Sequence, residues 1–163
     1  MKAASVSEIK KELRQVAPVQ LAEIILRLAR FKKENKELLT YLLFESDSEE
    51  HYVKSVSTYI NTEFKLINTS NYYYIKKSIR KILRQTKTFI RYSNVKETEV
   101  ELLLHFCECM IAFEPSIFKN RTLNNIFDRQ IILVEKKIKT LHEDLQYEYN
   151  IQKEDLLNSI SSI

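Results

Sequence analysis

His105, Cys107 and Cys109 read H-x-C-x-C, a spacing that invites comparison with metal sites. Imidazole and thiolate are ligands zinc takes readily, but a tetrahedral site needs donors converging on one point. At about 100° per residue on a helix, His105 and Cys109 share a side while Cys107 points across the axis. There is no second cysteine pair to complete a site. Glu101, His105 and Glu108 make a better set, because all three fall on one helix face. Di-iron bundles, however, take Glu-x-x-His from each of two helices and further glutamates from two others, and this chain has no Glu-x-x-His. His105 is therefore expected to be a structural hydrogen-bonding residue among carboxylates. His51 and His142 have no partner pattern, and no hydroxyl sits in a nucleophile context. No catalytic residue, metal or cofactor is expected, and the chain is not expected to be an enzyme.

The second constellation is cationic. Residues 71–92 read NYYYIKKSIRKILRQTKTFIRY. Lys76, Arg80, Arg84, Lys87 and Arg91 recur at steps of four, four, three and four, which places them on one helical stripe, and Lys77 and Lys81 widen it. No acidic residue interrupts the segment. Regularly spaced cations of this kind displace condensed counterions from a phosphate backbone, and Tyr72, Tyr73 and Tyr74 beside them could stack bases. The plainer alternatives are a solvated face, or one neutralised by Glu97, Glu101 and Glu108 of the following helix. These seven cations are the candidate anion- or partner-binding residues.

Positioning such stripes requires helices, and the composition supplies them. The 163 residues include no glycine and two prolines. Tight hairpins and phosphate-cradling loops need the backbone freedom that glycine provides, so Walker loops, dinucleotide fingerprints and nucleophile elbows are absent. A hydrophobic content of 44% with 29% charged residues fits a globular chain with a core of its own. The formal charge of +4 is unevenly placed: residues 1–92 hold 18 basic against 10 acidic side chains, and residues 93–163 hold 8 against 12. No apolar run is long enough to span a bilayer, the opening lacks the apolar centre of a secretory signal, and two cysteines too close to bridge suit a reducing cytoplasm.

Along the chain, Ser5 and Glu8 have capping-box spacing for a short helix that should turn Ile9, Leu13 and Val16 inward. Pro18 opens a second, with Leu21, Ile24, Ile25, Leu28 and Phe31 expected to be buried. KKENKE interrupts the pattern, and a third short helix is expected to follow. ESDSEE leads into a helix starting near Ser48 that uses Val53, Val56, Ile60, Phe64 and Ile67. In the basic helix, Tyr72, Ile75, Ile79, Ile82, Leu83, Thr86, Phe89 and Ile90 form the core side. Glu97 to Phe113 is apolar nearly all round and should be the central helix. The short connection before it implies antiparallel packing beside the basic helix. After Pro115, one long helix is expected from Thr122 to Tyr149, then a short segment from Lys153 to Ile160. Together these define an all-α fold, a single domain over 1–163 of seven or eight helices in antiparallel hairpins around a buried central one.

The opening third, SEIKKELRQVAPVQLAEIILRLARFKKENKELLTYLLF, resembles the start of small bacterial helical proteins that have no assigned activity. The resemblance rests on the leucine spacing and the KENKELLTYLL run. It implies an all-helical fold and gives no residue a role. The function expected is that of a non-catalytic, cytoplasmic interaction protein binding another protein or a second copy of itself. The alternative is a nucleic-acid-binding module using the stripe at 71–92. No membrane partner is expected.

Overall fold

The computed structural model describes residues 2–160. Four helices begin on a side-chain cap, at Ser5, Ser48, Asn71 and Asn120. Ser5 Oγ accepts from the Glu8 amide at 3.3 Å while the Glu8 carboxylate accepts from the Ser5 amide at 2.7 Å, closing the capping box of α1 (Val6–Leu13). Pro18 occupies the first turn of α2 (Pro18–Phe31), and extended Lys32 separates it from α3 (Lys33–Thr40). A π-helical turn, Tyr41–Glu45, follows. Ser48 caps α4 (Glu49–Lys65), and Asn71 caps α5 (Tyr72–Ser93) by accepting from the amides of Tyr73 and Tyr74. α5 ends on Asn94 at φ 58°, where asparagine takes the left-handed conformation in a chain that has no glycine to offer. α6 (Lys96–Ile111), a 3₁₀ turn (Ile117–Lys119), α7 (Arg121–Ile138) and α8 (Glu143–Ile160) complete the order.

The fold is all-α, with eight α-helices and no strand among the described residues. Contacts divide the chain into two units, Met1–Phe44 and Glu45–Ile163.

The second unit has its core on α6, as the sequence predicts. Thr98, Val100, Leu102, Leu103, Leu104, Phe106, Cys107 and Met110 are buried around the axis of this helix, which touches α4, α5, α7 and α8. A helix apolar on nearly all sides is stable only when neighbours cover every side. α4 supplies Tyr52, Val56, Ile60 and Phe64, and α5 supplies Ile75, Ile79 and Ile82. Phe64 meets Phe106 and Phe113 edge to face, at ring-centre distances of 5.6 and 6.0 Å. Polar clamps fix the same helices. Ser93 and Thr98 hydroxyls both donate to Glu49 Oε2, at 2.8 and 2.6 Å, which ties the start of α4 to the α5–α6 turn. The Tyr52 hydroxyl donates to the Phe89 carbonyl at 2.9 Å.

Two expectations fail. The helix predicted from Thr122 to Tyr149 is broken at residues 139–142, giving α7 and α8, and the short segment predicted at 153–160 is the end of α8. The apolar period runs through the break, so spacing alone does not reveal it. Local hydrogen bonds do: the Thr140 hydroxyl donates to the Lys137 carbonyl at 2.8 Å, and the Gln146 amide donates to the Leu141 carbonyl at 2.9 Å. Side chains that satisfy backbone carbonyls in this way compete with the helical ladder.

The second failure lies in the first unit. α1, α2 and α3 contain no buried residue. Val16 and Leu21 are half-buried, but Ile9, Leu13, Ile24, Ile25, Leu28 and Phe31, all expected inside, are exposed. Three short helices have too little surface to enclose their own apolar faces. The periodicity marks the face correctly and cannot supply what covers it.

Candidate functional site

α5 positions the candidate cations. Ile75, Ile79, Ile82, Thr86 and Ile90 are buried, and α5 packs against α4 and α6, so the opposite side of the helix is left to the basic residues. Lys77, Arg80, Lys81, Arg84, Lys87 and Arg91 are exposed and Lys76 is half-buried. Two shallow grooves run along this side, one of 540 Å³ at Tyr73, Lys76, Lys77, Arg80, Lys81 and Arg84, the other of 500 Å³ at Arg80, Leu83, Arg84, Lys87 and Arg91. All the lining residues belong to α5, so the grooves are spaces between long side chains on one convex surface.

The acidic face of α6 is engaged elsewhere. Glu101 accepts from the Tyr149 hydroxyl of α8 at 2.6 Å, and Glu108 pairs with His105 at 3.2 Å. Burial, then the bond to Glu101, push the Tyr149 hydroxyl up from its ordinary value. Among the described residues no ion pair joins Glu97, Glu101 or Glu108 to the stripe. Lys81 reaches Glu63 of α4 at 3.3 Å, and the Arg91 guanidinium donates to the Thr88 hydroxyl at 3.3 Å. Burial draws the Lys87 ammonium below the usual lysine value, with Glu99 acting in the opposite direction, while Glu99 itself holds Lys137 at 2.7 Å. Of the tyrosines, Tyr72 donates to the Ser116 carbonyl at 3.3 Å and is committed to the fold, whereas Tyr73 and Tyr74 are exposed and lie edge to face with each other.

The first unit offers a surface of another kind, which periodicity alone does not reveal. Leu28 is 54% exposed, Phe31 76% and Phe44 75%. α2 and α3 pack on each other, and the Asn35 amide donates to the Leu28 carbonyl at 2.8 Å across the Lys32 turn. A groove of 620 Å³ follows their junction, with Leu26, Ala29, Leu39, Leu43 and Phe44 inside it and Arg30, Lys32, Lys33 and Lys36 among its lining. A smaller one of 270 Å³ is lined by Ile25, Leu28, Ala29, Leu38, Leu39 and Leu42, with Asn35 as its polar member. An apolar floor with charged groups at hand is the anatomy of a protein interface.

The H-x-C-x-C residues fall as helical geometry predicts. Cys107 is buried and its thiol is pushed up by burial, while Cys109 shares a side with His105. His105 Nε2 lies 2.9 Å from Asn61 Oδ1 of α4, a partner 44 residues away that no local pattern could indicate. Among the described residues no group of three His, Cys, Asp or Glu is arranged to hold a metal ion, and no helix is long and apolar enough to cross a membrane. Comparison with protein-family models, with curated proteins and with solved structures finds no match to this chain. The geometry therefore defines a helical protein with two candidate binding surfaces, one apolar and one cationic.

Proposed function

We propose that this chain is a non-catalytic interaction protein that binds another protein or a second copy of itself through its first unit, α1 to α3. One observation carries the reading: three helices with well-formed apolar faces bury none of them. Scattered exposed leucines are normal on a soluble surface, but a contiguous apolar face is what association covers. A second copy is the occupant that needs nothing beyond this chain. Two α2–α3 pairs supply four helices around one shared core, an arrangement that satisfies both faces at once.

Sedimentation velocity over a range of concentrations tests this. The wild type should associate and the Leu28→Glu, Phe31→Glu variant should sediment as a monomer, because carboxylates at the centre of an apolar contact have to be desolvated. A wild type that stays monomeric at high concentration contradicts self-association. Retention of the same state by the double variant contradicts the placement on α2.

A second reading is supported by the exposure of the α5 stripe: nucleic-acid binding through Lys76, Arg80, Arg84, Lys87 and Arg91. Five phosphate contacts on duplex DNA give a slope of log affinity against log salt of about −4.5. Apolar association should instead hold or strengthen as salt rises. Absence of measurable DNA or RNA binding at low salt would remove this second reading and leave the first.

A further inference from the structure

His105, Glu108 and Cys109 on α6 and Asn61 on α4 form a polar cluster that neither binding surface uses. We propose that Cys109 is a modification site at which the sulfur, with His105 beside it and Asn61 across from it, attacks small disulfides and is carried as a mixed disulfide.

The geometry has the three parts that thiol nucleophiles use: a sulfur, an imidazole within reach, and a third group that orients the imidazole. Cys109 Sγ is 3.7 Å from His105 Nε2, and His105 Nδ1 is 3.2 Å from Glu108 Oε2. The Cys109 thiol donates to Asn61 Oδ1 at 3.2 Å, and the same oxygen lies 2.9 Å from His105 Nε2, so one amide contacts both members of the pair. With Nδ1 donating to Glu108 and Nε2 to Asn61, the ring carries both protons and a positive charge. That charge agrees with the raising of the His105 pKa to about 10, chiefly by its bonds to Cys109 and Glu108. Among the described residues the ionisable groups acting on His105 are these two, both from its own helix; α4 contributes neutral Asn61, and no ionisable group of α5, α7 or α8 is among them. A cationic imidazole against a partly exposed sulfur is the setting in which cysteines react. Cys107 provides the internal contrast, since it is buried on the same helix two residues away and, among the described residues, has no imidazole hydrogen-bonded to it.

The exchange balances without another reactant. The Cys109 thiol gives up its proton, Sγ attacks one sulfur of the disulfide, the new S–S bond forms as the old one breaks, and the departing sulfur leaves with the electron pair and takes up a proton. The Cys109 sulfur is oxidised and the leaving sulfur reduced. Cys107 points across the helix axis and cannot displace the adduct, so the mixed disulfide persists until an external thiol removes it.

The test uses the full chain, dithionitrobenzoate as the probe disulfide, and release of the coloured thiol at pH 6.5. At that pH an ordinary thiol is only about 1% ionised, which leaves room for a large acceleration. Native Cys109 should react about tenfold or more faster than the same cysteine in the urea-unfolded chain, whereas burial alone would slow it. Peptide mapping should place the fast adduct on Cys109. Cys107→Ser should keep the fast phase, Cys109→Ser should abolish it, and a folded His105→Gln variant should lose most of the acceleration. Oxidised glutathione should add one equivalent at the same residue. The proposal is overturned if native Cys109 reacts no faster than in the unfolded chain, if the fast thiol is Cys107, or if folded His105→Gln reacts at the wild-type rate. The native-to-unfolded comparison stands even if His105→Gln does not fold.

Discussion

α2 and α6 are both rich in leucine and isoleucine at helical spacing, yet nearly every large apolar side chain of α6 is buried and none of α2 is. α6 is apolar around its circumference and has four helical neighbours to cover it, while α2 is apolar along one face and packs chiefly on the short α3. The difference separates two roles for one kind of side chain. Leucines of α6 hold the fold together, and leucines of α2 are proposed to hold a partner. Amphipathic spacing shows where a face lies, but the cover comes from tertiary structure or from another molecule.

Substitution should expose this contrast most strongly at the core. Leu104→Ala in α6 should cost about 2 to 5 kcal/mol, through lost burial and the cavity left behind. The same truncation at Leu28 in α2 should cost less than about 1 kcal/mol in dilute protein, because an exposed side chain leaves no cavity. Denaturant midpoints measure both. Equal losses at the two positions would place Leu28 in a core and break the comparison.

A smaller effect should come from His105, which belongs to the second unit and is half-buried. Its folded-state pKa, about 10, lies above the ordinary value of 6.5. The stabilisation it contributes is therefore full below about pH 6.5 and is lost as pH rises through about 10. Because the ring is partly exposed and solvent screens its partners, the melting temperature of the wild type should fall relative to His105→Gln over that window by only a few degrees, about what a 1 kcal/mol change produces in a domain of this size. A constant difference across the window would show that the histidine is not held charged.

The smallest effect on stability is expected at the basic stripe. Arg80→Glu with Arg84→Glu should melt within about 1 kcal/mol of the wild type, since exposed substitutions typically change stability by about half a kcal/mol each. Any affinity for DNA or RNA should disappear. A marked loss of stability would mean that the stripe is paired with carboxylates after all.

What could be read from the sequence follows the same division. The buried and basic faces of α5 were legible because each repeats at helical spacing over 22 residues. α6 was legible as the centre because apolar residues lie on nearly all its sides. The break between α7 and α8 was not, since the apolar period continues across residues 139–142. Asn61 could not be assigned to His105, because their contact joins α4 to α6. The exposure of Leu28 and Phe31 was hidden for a simpler reason, as a face awaiting a partner and a face packed in a core have the same spacing.

Amide hydrogen exchange, followed residue by residue over a range of protein concentrations, tests the proposed division most directly. Amides of α6 should exchange slowly at every concentration, protected by the fold itself. Those of α2 and α3 should exchange fast in dilute solution and become protected as concentration rises, with protection abolished by Leu28→Glu, Phe31→Glu. Fast exchange in α2 and α3 that does not change with concentration would contradict self-association through this face, and slow exchange there in dilute solution would contradict the division itself.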